Sequence, residues 1–438
     1  MKKSILFLLI FLSAHAFANN MLVQNVITTD NDPVNKTIQV QFDISWDNSW
    51  RDSINYDAAW IFIKFKDAGG LWRHAQLNQT GFNLGAGTAD SIKVTSDKVG
   101  SWVYRSGLGS GTFSVTGMQL QWNYGLSGLT SVTGLEVRVF AVEMIYVPAG
   151  GFTINTIFQN YITSPYGTNQ SQMTLNAPGS NYSVINQRIS PTLMYSDNYF
   201  DPTTTMFSST NLAVKIKGDA GIDTNNDGII DNSTYPTGYK AFYSFKYELT
   251  DQQYADFLNT LTTSQKTGIG VAGTSISLNN GQYFSSAPNR ACGNSNADRL
   301  FAIADWACLR PISFLEFSKA AHGPLQPSVF ANSIPTFPNT SLTNVGSNAT
   351  STTNRVNAIS TYYGHMDFSG NAKEPIVNIK SFAFNDSNGD GSLQSNGKSD
   401  IAIWLNSTIS FIEPFLLSWG GSDESSSSFG FRYARTAE

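Results

Sequence analysis

Ile38, Val40, Phe42, Ile44 and Trp46 alternate with Gln39, Gln41, Asp43 and Ser45. A strict period of two over such a stretch specifies a β-strand with one buried face and one wet face. Trp60-Ile61-Phe62-Ile63-Lys64-Phe65 reads as a second strand, apolar on both faces for most of its length. Ser114 to Trp122 and Leu135 to Val142 supply two more, and Gly-rich turns at 68–70, 107–111 and 124–125 separate them. Short strands at this spacing predict an all-β sandwich over residues 19–143. Trp46, Trp50, Trp60, Trp72, Trp102 and Trp122 all fall in this segment. Exposed tryptophans can form a carbohydrate platform, but such large side chains more often pack in a core.

The first residues point to export. Lys2 and Lys3 precede an unbroken apolar run from Ile5 to Leu12, and Ala16-Phe17-Ala18 supplies a small-x-small cleavage pattern. Residues 1–18 therefore read as a signal peptide, with a mature chain starting near Asn19 in the periplasm or beyond. No cysteine follows the apolar run, which argues against a lipid anchor. No later stretch approaches the roughly 20 apolar residues of a membrane span. Charged residues are only 13% of the chain and the formal charge is −5. A phosphate-binding surface needs a clustered basic face, so nucleic acid is not an expected partner.

From Met144 the pattern changes. Met144 to Gly151 reads as a strand broken by Pro148-Ala149-Gly150-Gly151, with a return strand from Phe152, and 163–201 as a long polar loop or insertion. Thr250 is a fitting N-cap for a helix carrying Tyr254, Phe257 and Leu258 on one face. A second helix is predicted from Asn296 to Cys308, with Leu300, Ile303, Ala304 and Ala307 as its stripe. A third runs from Ser313 to Ala321, where Ser313 and Glu316 form a capping box.

Five blocks in this half resemble the formylglycine-generating-enzyme family, in the family's order. They are Met144 to Phe152, Lys246-Tyr247-Glu248-Leu249-Thr250 through Leu258, Leu309-Arg310-Pro311 through Ala321, Tyr363-Gly364-His365 through Glu374, and Gly430-Phe431-Arg432-Tyr433-Ala434-Arg435. The resemblance spans residues 144–438 and implies a C-type-lectin-like domain of irregular α+β character. The family enzymes carry two copper-binding cysteines before the closing strand. Here Trp419-Gly420-Gly421-Ser422 is followed by Asp423, Glu424 and four serines, and no cysteine occurs after Cys308. Soft copper needs thiolate ligands, so copper is not expected. Related iron-dependent enzymes need a histidine cluster, whereas His74, His322 and His365 are far apart in sequence, so iron is not expected either.

Two loops carry calcium-like spacing. Asp223, Asn225, Asp227, Ile229 (through its carbonyl) and Asp231 place oxygens at alternate positions around Gly228, the donor set that hard Ca²⁺ prefers. Asp386, Asn388, Asp390 and Ser392 repeat the spacing, and there the same residues also suit a plain tight turn. Cys292 and Cys308 are either a disulfide, fitting for an exported chain, or two buried free thiols.

The expectation is an α+β chain, with an N-terminal sandwich followed by a lectin-like, catalytically silent domain. Its role would be binding or structural, with structural calcium and a glycan, an envelope or surface protein, or its own copies as partners. The alternatives are a divergent metal-dependent oxidase of the same family and a self-assembling surface subunit.

Overall fold

A computed structural model describes residues 21–88, 90–155, 172–175, 183–186, 234–324, 342–347, 361–368, 371–377, 384–405, 407, 409–412 and 429–438. The chain begins with nine strands: β1 (Leu22–Asp32), β2 (Thr37–Arg51), β3 (Asp57–Lys66), β4 (Trp72–His74), β5 (Ala86–Gly87), β6 (Asp90–Val94), β7 (Ser101–Arg105), β8 (Gly109–Asn123) and β9 (Glu136–Val147). Three short strands, β10 (Phe152–Asn155), β11 (Gln172–Leu175) and β12 (Ser183–Asn186), precede β13 (Phe242–Phe245). Then come α1 (Asp251–Leu258), α2 (Thr263–Ile269), β14 (Ile276–Asn279), β15 (Gln282–Ser285), α3 (Ala297–Trp306), β16 (Arg310–Pro311) and α4 (Phe314–His322). The last elements are β17 (Glu374–Val377), α5 (Ala402–Leu405), β18 (Ile409–Ile412) and β19 (Tyr433–Thr436). The fold is a β-rich α+β architecture in which the strand pairs are antiparallel.

Two sheets carry it. One has the order β1-β2-β8-β5; the other runs β16-β19-β13-β9-β3-β7-β6, with β4 also on β3. The alternation in β2 places Ile38, Val40, Phe42, Ile44 and Trp46 against Ala59, Ile61, Ile63 and Phe65 of β3, and together these form the core between the sheets. The intervening residues of β3, Ala58, Trp60 and Phe62, face the other way into a second, larger core built with α1, α3 and α4. β3 is therefore apolar on both faces because both faces are covered. Trp46, Trp50, Trp60, Trp102 and Trp122 are all core residues, and only Trp72 of the six is part-exposed.

The larger sheet crosses the expected boundary between residues 143 and 144. β9 pairs with β3 from Glu136 to Ile145 and with β13 from Met144 to Val147, so one strand serves both halves. The segment after Gly151 departs from expectation too. β10 does not return along β9 but pairs with β11, and β11 with β12, in a separate three-stranded sheet. Pro148 has no N–H to offer a ladder, and Gly150 turns the chain through a positive φ of 139°. The three predicted helices correspond to α1, α3 and α4, capped by Thr250, Asn296 and Ser313, with capping boxes at the first and third.

Candidate functional site

Buried charged residues of the second to fifth family-like blocks are joined to one another or to backbone groups of other blocks. Arg310 holds Glu316 with two hydrogen bonds of 2.6 and 2.5 Å, and both side chains are buried. Glu316 also accepts from the Ser313 N–H, so one carboxylate closes the α4 cap and neutralises the guanidinium. Arg432 donates from Nε and Nη2 to Glu374, and from its Nη groups to the carbonyls of Phe245 and Met366. Glu248 accepts from the Ala372 N–H and from Asn371 Nδ2, both at 3.0 Å. Burial holds the Glu248 carboxyl well above the usual carboxylate range. Lys319 Nζ donates to the carbonyls of Pro148 (2.7 Å), Gly150 (3.0 Å) and Gly238 (2.7 Å), which ties α4 to the Pro-Ala-Gly-Gly turn. Burial lowers the Lys319 pKa to about 8. Bidentate, carbonyl-saturated contacts of this kind fix geometry and leave little free for a substrate.

Among the described residues, His74 and His365 do not meet. His365 is buried between Ser244 Oγ (2.6 Å from Nε2) and Thr361 Oγ1 (3.1 Å from Nδ1). His74 lies elsewhere, with Nε2 2.6 Å from the Val99 carbonyl and Nδ1 3.4 Å from Cys308 Sγ. A carbonyl can only accept, so Nε2 carries the proton, while Cys308 Sγ lies almost equally close to both ring nitrogens, 3.5 Å from Nε2. Cys292 and Cys308 are both buried free thiols, the second of the two alternatives their spacing left open. Burial pushes the Cys308 pKa up to about 12, so its thiol is a packing group rather than a nucleophile.

Of the two calcium-like loops, the Asp223, Asn225, Asp227, Ile229 and Asp231 set lies outside the described residues. The second loop is described, and its proposed ligands are divided. Asp386 pairs with Lys240 at 2.9 Å. Asp390 instead joins Asp305 and Asp400, with a carboxylate oxygen of each within 4.8 Å of the others, a group that could hold a metal ion. Ser392 donates its N–H to Asp390 Oδ1, and Asn388 Oδ1 is buried without a hydrogen-bond partner among the described residues. Asp305 anchors the loop: it accepts from the N–H groups of Asp390 (3.1 Å) and Asp400 (3.2 Å) and from Ser399 Oγ (2.6 Å). Both loop glycines are there for close approach. A Cβ on Gly389 would lie 2.4 Å from Asp305 Cα, and one on Gly391, at φ +89°, 2.5 Å from His74 Nδ1.

A cleft of about 630 Å³ opens where the two halves join, within the range of ligand sites. One flank is Met21 with Val23 and Val26 of β1, the floor is β9, and the other flank is Gln252, Gln253 and Asp256 of α1. Phe140 of β9 is part-exposed there, stacked on Phe62 at 5.3 Å and edge-on to Trp306 at 4.9 Å. Trp306 Nε1 is buried without a hydrogen-bond partner among the described residues. Gln252 Nε2 donates to Asp256 at 2.8 Å, and burial raises the Asp256 carboxyl pKa. Sequence reasoning singled out neither this cleft nor Asp305 and Asp400. Among the described residues no helix is long and apolar enough to cross a membrane. No protein-family model matches the chain, and no curated protein matches it.

Proposed function

We propose that the chain is an exported protein that binds or builds without catalysing, on a scaffold resembling the lectin-like domain of formylglycine-generating enzymes. The observation that carries this reading is the use made of the block residues. Glu248, Arg310, Glu316, Lys319, Glu374 and Arg432 are buried and engaged with one another or with backbone atoms of other blocks. Block is joined to block, and the residues that carry the resemblance act as scaffold. His74 and His365 sit in separate hydrogen-bonded pairs, and each is held well below the usual imidazole pKa by burial. The sequence has no cysteine beyond Cys308 to take the place of the family's copper thiolates. The cleft at the junction, with mixed aromatic and amide walls, is the natural seat for a ligand.

The test is elemental analysis of the purified mature chain, together with oxygen uptake in the presence of a cysteine-containing peptide. We expect neither stoichiometric copper or iron nor turnover. Metal at one equivalent accompanied by oxygen uptake would replace this reading with that of a divergent oxidase.

A further inference from the structure

β9 is paired on one side along its whole first stretch and on the other side only at its end. β13 covers it from Val147 to Met144, and one further hydrogen bond, Lys246 N–H to Glu143 carbonyl at 3.0 Å, extends that ladder. The chain then leaves the sheet to enter α1. In an antiparallel strand, alternate residues turn their N–H and C=O to the same edge. Glu143 faces the β13 side, while Tyr146 N–H bonds to Tyr56 O on the β3 side. Ala141, Val139 and Val137 therefore aim their backbone groups along the edge that β13 vacates. Among the described residues nothing pairs with them there.

This edge is the floor of the cleft. Six residues, Val137 to Val142, present about 20 Å of strand at roughly 3.3 Å per residue. Val137, Val139 and Ala141 direct their side chains to the core between the sheets, where Val23 and Val26 are only partly buried. On the opposite face Phe140 and Val142 meet the side of the cleft formed by Gln252, Gln253 and Asp256. A compact polar ligand would meet only one or two backbone groups of a row this long, and an apolar one would meet none. One more strand, in line with β13, meets both.

We propose that the cleft takes an extended peptide segment of a partner polypeptide by strand addition to β9. The segment's apolar side chains at alternate positions would fill the open side of the sandwich core. Its intervening positions would carry hydroxyl, amide or basic groups toward Asp256 and the glutamines of α1. The inference rests on the reading above, that the chain holds its partner rather than converting it.

The experiment uses the full mature chain and a fluorescein-labelled nonapeptide of alternating valine and threonine with one central lysine. A second peptide differs only in N-methylation of its valine amides. Saturable binding by fluorescence anisotropy is expected for the first peptide, with affinity at least about tenfold lower for the methylated one, which lacks the strand-edge donors. Hydrogen exchange at Val137, Val139 and Ala141 should slow in the complex, while the Phe140 amide, already facing β3, should not change. The Ala141→Pro variant removes an edge donor without breaking the β3 ladder. It should fold with a similar Tm and lose binding. No saturable binding up to millimolar peptide, equal binding of the methylated peptide, or slowed exchange only outside β9 would each overturn the proposal. So would a concentration-dependent dimer with these amides already protected, because a second copy would then fill the slot. Turnover of a cysteine peptide alongside strand binding would overturn the non-catalytic reading and leave this one standing.

Discussion

Asp305 sits at the end of α3 among Leu300, Phe301, Ala302, Ile303, Ala304 and Trp306, every one of them buried. Burial, with the neighbouring Asp390 charge, raises its pKa from an ordinary 3.8 to about 7. The folded chain therefore keeps a proton that the unfolded chain releases at lower pH. The stabilisation this gives is complete below the ordinary value of 3.8 and is lost as pH rises through about 7. Asp305→Asn, although less stable overall because it loses an acceptor for Ser399 or Asp400, should show a flatter Tm profile between pH 4 and 8. Parallel profiles for the two proteins would rule the linkage out. The signal for Asp305 was present in the sequence, as one carboxylate inside the apolar run Leu300 to Leu309. Asp400 bears no such mark, because only the closure of the 384–400 loop brings it near. Spacing alone suggested that Asp386 and Asp390 act together, but side-chain direction separates them, toward Lys240 and toward Asp305.

Elements declared themselves in the sequence to the extent that their determinants are local. The starts of α1, α3 and α4 follow from side chains that satisfy the first free N–H groups, and those caps are written within four residues. What a strand pairs with is not local, which is why β10 was expected against β9 and instead begins another sheet. The same holds for Lys246, which opens the second of the resembling blocks, just ahead of α1. It is buried, its ammonium paired with Glu143 of β9 and 3.3 Å from Asp57 of β3. Burial alone would lower its pKa, but the Glu143 carboxylate beside it holds it above the usual lysine value. Lys246→Met should leave two buried carboxylates facing one another and cost about 3–5 kcal/mol in urea denaturation. A loss below about 1 kcal/mol would mean that the pair contributes little beyond packing.

Across the whole molecule, contacts tie the two halves on both sides of β9. Arg435 stacks over Trp60 at 4.6 Å, pairs with Asp97 and donates to the Cys308 carbonyl. Trp60 Nε1 donates to the Ala307 carbonyl at 2.8 Å, Lys64 Nζ to the Gly391 carbonyl at 2.8 Å, and Asn55 to Tyr363 O at 2.7 Å. A chain joined in this way should unfold in one calorimetric transition. A fragment of residues 19–143 should not reach a native state alone, since Trp60, Phe62 and Trp102 would lose their cover. Two resolved transitions, or a cooperatively folded fragment, would contradict this. The sequence showed that Trp60 to Phe65 was apolar on both sides. It did not show that the second cover comes from residues two hundred positions away, because periodicity reports that a face is hidden and not what hides it.

The shared strand also limits how such a chain can be remade by recombination. Most multidomain proteins can be cut and rejoined at linkers, so that either part travels to new partners. Here a genetic exchange at the apparent junction would sever a hydrogen-bonded ladder, and the two halves are bound to be inherited and lost together.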